Sequence, residues 1–140
     1  MHKILSALAI AVLTIGFTVS TAAPASALTG TEKLGCSVTP SPTQPNPTPK
    51  ICTNKMAASS YTADFQVLNE RGPYSYAWSV PAGYSILSGC TSALDYCIIN
   101  NLVSVQQVSV SVTITQAGQS ATLAASAIIN AYCGSVPCPQ

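Results

Sequence analysis

Charge is scarce in this 140-residue chain: only 6% of its residues are charged, five basic against four acidic, for a formal net charge of +1. That balance offers no basic footprint for a phosphate backbone, so nucleic acid is set aside as a partner. Histidine occurs once, at His2, inside an N-terminal stretch that reads as a removable leader. A chain that loses it has no Ser-His or Cys-His relay. The titratable groups that remain are Glu32, Asp64, Glu70 and Asp95, with Lys33, Lys50, Lys55 and Arg71 as cations. Asp64 and Asp95 could meet in space as a glycosidase-like pair, although solvated or turn-capping carboxylates are the plainer reading. No Ser-x-x-Lys sets a lysine base beside Ser79, Ser88 or Thr91, and no Gly-rich phosphate loop is present. Cys-x-x-Cys is also missing, which argues against a sulfur-ligated zinc. These absences predict a protein that is not an enzyme, with no catalytic, cofactor-binding or metal-binding residues and no cofactor.

What the chain does hold sets its compartment. His2 and Lys3 precede an apolar run from Ile4 to Val19, and Ala25-Ser26-Ala27 supplies the small side chains a signal peptidase needs. Residues 1–27 are therefore predicted to be a cleaved signal peptide, with Leu28 first in a secreted chain that has no membrane span after processing. Six cysteines in an exported chain of this size predict three disulfides among Cys36, Cys52, Cys90, Cys97, Cys133 and Cys138. Nearest-neighbour pairing would close three short loops, each worth about 2–3 kcal/mol in the chain-entropy picture, and the other pairings stay open. Apolar residues make up 48% of the chain, enough for a packed core, and its eight glycines show no collagen period.

Residues 28–59 read as a Pro/Thr/Ser-rich N-terminal segment. The run from Ser37 to Lys50 crowds prolines between Pro40 and Pro49, which predicts a polyproline-like, unpacked spacer with Ser and Thr open to O-linked sugar. From Ser60 the pattern changes to period two: Tyr61, Ala63, Phe65 and Val67 alternate with polar residues, and Tyr74, Tyr76, Trp78 and Val80 share one face. Asn69 to Pro73 reads as a turn, and Pro81-Ala82-Gly83 ends the second strand. Tyr84 to Leu87 and Leu94 to Ile99 read as shorter strands. Val103 and Val105 fall out of phase with Val108, Val110, Val112 and Ile114, which predicts a bulge at Gln106-Gln107 that returns both sets to one face. Gln116 to Gln119 reads as a turn. Ser120 to Tyr132 fits a helical stripe as well as a strand, and Ile128-Ile129 in a strand-rich context favours the strand.

The run Tyr76-Ala77-Trp78-Ser79-Val80-Pro81-Ala82-Gly83, followed by Ile86-Leu87-Ser88-Gly89 and later by Ile129-Asn130-Ala131-Tyr132-Cys133-Gly134, resembles the PKD-like (immunoglobulin-like) domains of bacterial secreted and surface proteins. The resemblance covers roughly Ser60 to Gly134. It implies an all-β antiparallel sandwich over residues 60–140, with Tyr76, Trp78 and Val80 in its core, acting as a spacer or interaction module. The cysteines at 90 and 97 depart from that pattern.

No residue after Asp95 is charged. The neutral, β-prone stretch from Val103 to Thr115 suits either a central strand or a strand that pairs with a partner. The leading expectation is thus a secreted, non-catalytic interaction module whose partner is an extracellular or cell-surface protein or glycan, or a second copy. Two alternatives are a self-assembling coat protein and a small inhibitor of an extracellular hydrolase that presents the loop from Ser88 to Cys97. Among the aromatics, Tyr84 and Tyr96 flank turns and are candidates for exposed rings.

Overall fold

The computed structural model describes residues 28–41, 46–133 and 135–138. The predicted signal peptide and its cleavage site lie outside the described residues. The strands in chain order are β1 (Lys33–Thr39), β2 (Thr48–Pro49), β3 (Ile51–Thr53), β4 (Tyr61–Leu68), β5 (Ser75–Ser79), β6 (Ser85–Gly89), β7 (Tyr96–Leu102), β8 (Gln106–Gln116), β9 (Gln119–Ile129), β10 (Tyr132–Cys133) and β11 (Val136–Pro137). No helix occurs among the described residues. One sheet has the order β2-β1-β4-β7-β6, the other the order β3-β9-β8-β5, and β10 and β11 form a separate hairpin. Every ladder is antiparallel except β3 with β9.

Alternating side chains point to opposite faces of a strand, and the apolar member of each alternation turns inward here. Tyr61, Ala63, Phe65 and Val67 of β4 and Ile99 of β7 are buried from one sheet. Val108, Val110, Val112 and Ile114 of β8 with Ala125, Ala127 and Ile129 of β9 are buried from the other. β8 and β9 pair in unbroken register from Gln106 opposite Ile129 to Gln116 opposite Gln119. The two residues that join them, Ala117 and Gly118, both have positive φ (50° and 80°), the geometry that matches strand twist in a two-residue hairpin. That pairing settles the segment after Gln119 as strand.

The cysteines pair as nearest neighbours: Cys36 with Cys52, Cys90 with Cys97, and Cys133 with Cys138. The first bridge ties β1 of one sheet to β3 of the other. Three stapled loops are compatible with an oxidising, extracellular setting.

Several expectations need correction. The segment from Ser37 to Lys50 is not an unpacked spacer at its ends. Ser37 and Val38 are buried in β1, whose seven residues all pair with β4, and Thr48 and Pro49 pair with Cys36 and Gly35. Proline begins to remove donors only at Pro40, and Pro49 sits on an edge strand where a missing N–H is tolerated. β1 and β3 of the 28–59 segment are therefore built into the sandwich. The two valine sets are not joined by a bulge either. Val103 to Val105 form the turn between β7 and β8, and Val103 and Val105 are 48% and 80% exposed. The phase slips there because the chain reverses. For the neutral stretch, where two readings were open, the central one holds: β8 lies between β9 and β5 and offers no free edge. Of the three residues expected in the core, Tyr76 is buried, while Trp78 and Val80 pack partly buried against it.

Candidate binding site at one end of the sandwich

The register places the charges unevenly. Glu32, Lys33, Glu70, Arg71 and Asp95 gather where the β4–β5 turn, the Cys90–Cys97 loop and the start of β1 meet. Glu32 Oε1 accepts hydrogen bonds from Thr29 N (3.0 Å), Thr29 Oγ1 (2.9 Å) and Tyr74 OH (3.0 Å). The backbone N–H of Thr29 is the largest cause that holds this carboxyl down to about 2, against an ordinary value of 4.5. Tyr76 OH donates to Glu70 Oε1, and burial raises the Glu70 carboxyl. The structure also brings Asp64 and Asp95 to one region of β4 and β7, with Gln66 between them donating to Asp95 Oδ2 at 3.4 Å. Burial first, and Asp95 second, raise Asp64, whose Oδ1 is buried without a partner.

These opposite shifts give opposite pH dependences. Glu32 has a lowered pKa in the fold, so its stabilisation is complete above its ordinary value of 4.5 and is lost as pH falls toward about 2. Asp64 is raised, so its charged form destabilises at neutral pH and protonation relieves it. Glu32→Gln is expected to lower the urea midpoint at pH 7 and to match the parent near pH 2, whereas Asp64→Asn should raise the midpoint at pH 7. A deficit for Glu32→Gln that persisted at pH 2 would show that packing, not charge, holds that corner.

The edges of both sheets are mostly blunted. On β5, Tyr76 N donates to Ser92 O (3.1 Å) and Trp78 Nε1 to Leu94 O (3.0 Å), so the Cys90–Cys97 loop covers the edge. The loop is further tied by Val67 N donating to Asp95 O at 2.8 Å. It braces the fold through its backbone and leaves Thr91, Ser92 and Ala93 exposed. β3 is tethered to β1 by the Cys36–Cys52 bridge, and β2 has only two residues, one of them a proline. On β6 a register shift between Ile86 and Ser88 interrupts the ladder, and Ile86 and Leu87 stand 51% and 59% exposed.

The opposite end of the sandwich carries two concave surfaces, and a third, of about 240 Å³, lies along β1 and β3 with Lys55 in its lining. At that opposite end Tyr61 pairs with Leu102, Ser85 with Asn100 and Gln106 with Ile129, and the connecting turns crowd together. A half-open groove of about 390 Å³ runs between Val105, Gln106 and Gln107 on one side and Ile128, Asn130 and Cys138 on the other. A second concavity of about 250 Å³ lies beyond Gln106, between Tyr84, Ser85, Asn100 and Asn101. Among the described residues, no charged side chain lines either one. Asn54 braces the floor, accepting from Asn130 N at 2.8 Å and donating to Asn130 O at 3.0 Å. Comparison with family models, curated proteins and solved structures gives no match. The case for this end therefore rests on its own geometry.

Val105 is the telling residue. Its φ is +62° and its N–H donates to Ile129 O at 2.8 Å, which holds the turn in the left-handed region. For a β-branched side chain that conformation is an outlier. Yet the side chain is 80% exposed and recovers no burial. Sequence reasoning missed this site because it placed Val105 in a strand. The available signal was the loss of phase at Val103 and Val105, which marks a reversal as readily as a bulge.

Proposed function

We propose that this chain is a secreted, non-catalytic binding module whose site is the charge-free groove beside Val105. The observation that carries the reading is the strained, exposed valine on the groove wall. A non-glycine residue held at positive φ costs roughly 1–2 kcal/mol, and Gly or Asn would fit the same turn more cheaply. A side chain that harms its own fold and packs against little of it is best explained by something outside the fold. The groove has the size and the mostly apolar character, with a few amides, of a small-ligand site. The PKD-like resemblance of the Tyr76 to Gly83 run is in keeping with an interaction role, and the paired, antiparallel sandwich is in keeping with that resemblance. The inhibitor alternative loses support because the Cys90–Cys97 loop is occupied in covering β5. Assembly through β8 loses its edge for the same kind of reason.

The reading makes stability and binding move in opposite directions. Val105→Gly is expected to stabilise the fold by roughly 0.5–1 kcal/mol, the relief of positive φ less the flexibility that glycine adds to the unfolded chain. The same change should weaken binding. The measurement is backbone NMR with a library of uncharged fragments against the exported chain: hits should shift Val105, Gln106, Gln107, Asn130 and Ala131, and Val105→Gly should lose them. Fragments that settle elsewhere, or bind the glycine variant unchanged, would refute the site.

A further inference from the structure

We infer that the concavity beside the groove is a subsite for one ring of a neutral glycan, an inference that rests on the reading of this end as the binding end. Its volume, about 250 Å³, falls below the roughly 300 Å³ at which sites for drug-sized ligands begin, and suits a single small ring. Tyr84 supplies an aromatic wall. Its hydroxyl donates to Gln107 O at 2.8 Å, so the side chain spans from the β5–β6 turn of one sheet's side to β8 of the other and its ring is held in place. A ring fixed by its own polar tip can take the apolar C–H face of a sugar without a further loss of rotamer freedom.

The polar groups complement such a ring. Asn100 Oδ1 is buried with no hydrogen-bond partner, so turning this half-buried amide outward to a sugar hydroxyl breaks no existing bond of that oxygen and relieves an unsatisfied acceptor. Gln106 Oε1 already accepts from Val103 N at 2.9 Å, which leaves its NH₂ group to donate. Ser85 and Asn101, both exposed, add groups that donate and accept. Sugar hydroxyls both donate and accept, so adjacent amide and hydroxyl side chains around one ring-sized volume match them. A carboxylate, phosphate or ammonium ligand would meet no counter-charge in this lining. Gly83, beside Tyr84, is called for by its backbone, with φ at +92°, and a Cβ there would meet nothing within 4 Å. An added polypeptide strand fits less well, because its main chain would seek the β6 edge, where the register shift at Leu87 breaks the row of backbone partners.

The test is titration of the exported chain, followed by backbone NMR, with soluble cello-, manno- and chito-oligosaccharides, and with an anionic oligogalacturonate as control. One neutral series should shift the amides of Tyr84, Ser85, Asn100 and Asn101 saturably, and the anionic control should not. Tyr84→Leu and Asn100→Ala should each weaken that binding about tenfold or more, and Tyr84→Phe, which keeps the ring, should stay within about threefold. Asn100→Ser serves if Asn100→Ala does not fold. The inference is overturned if no neutral series shifts these amides, if the anionic control binds as well, or if Tyr84→Leu binds like the parent. Uncharged fragments that still shift the Val105 groove while no oligosaccharide binds would sink the sugar subsite and leave the binding module standing.

Discussion

Phe65→Ala is expected to lower stability by about 3–5 kcal/mol, the range for emptying a large buried aromatic site, and Trp78→Ala by distinctly less. Phe65 sits in the middle of β4 with no exposure at all, between β1 and β7, facing the apolar side of the opposite sheet. Nothing can collapse into the space it would leave without moving both sheets. Trp78 lies near the end of β5, partly buried, with its indole N–H spent on Leu94 O. Truncating it frees that carbonyl and loosens the loop over β5, but water can reach both. A domain of this size holds on the order of 5–15 kcal/mol in total, so Phe65→Ala removes a large share. Urea unfolding with an unchanged slope measures both. A larger loss at Trp78 than at Phe65 would mean that the β5 edge, not the centre of β4, limits stability.

Removing the bridge between the sheets, as Cys36→Ala with Cys52→Ala, should cost about 3 kcal/mol for a closed loop of this length. The sequence separation is 16, against 7 and 5 for the other two bridges. Loop-closure entropy alone thus ranks it first and the Cys133–Cys138 bridge last, at roughly 2 kcal/mol. The Cys90–Cys97 bridge should exceed its entropic share, because the loop it closes also supplies Ser92 O to Tyr76 N and Leu94 O to Trp78 Nε1. Double-alanine variants of each pair, compared by thermal melting, test the ranking. A smaller effect for the Cys90–Cys97 pair than for Cys133–Cys138 would contradict the bracing role of that loop.

Much of the architecture was legible because a half-buried strand writes its period into the chain. The run from Tyr61 to Leu68 is read to the residue, and the hairpin at Ala117-Gly118 is announced by its turn chemistry. Three disulfides were the economical reading of six cysteines, while their pairing stayed open in the sequence and was decided by the fold. The errors share a cause. The prolines after Thr39 coloured the reading of Ser37 and Val38, yet those two residues precede the first proline and take their conformation from β4 alongside. At Val103 and Val105 the loss of phase was visible, but whether a strand bulges or turns back depends on what lies next to it. That neighbour is Ile129, 24 positions away, whose carbonyl receives Val105 N.

The candidate site shows the division most plainly. Composition and order along the chain determined an all-β, disulfide-stapled domain with a neutral C-terminal third, because apolar period, turn residues and charge are properties of short stretches. Only the tertiary structure decided which neutral stretch is buried and which is displayed. β8 disappears between β9 and β5, while Tyr84 of the β5–β6 connection, Asn100 of β7, Val105 of the β7–β8 turn and Gln106 at the start of β8 come together at one end. A concave site is made by the meeting of segments distant in sequence, and no local pattern encodes which turns will share an end until the strands between them have paired.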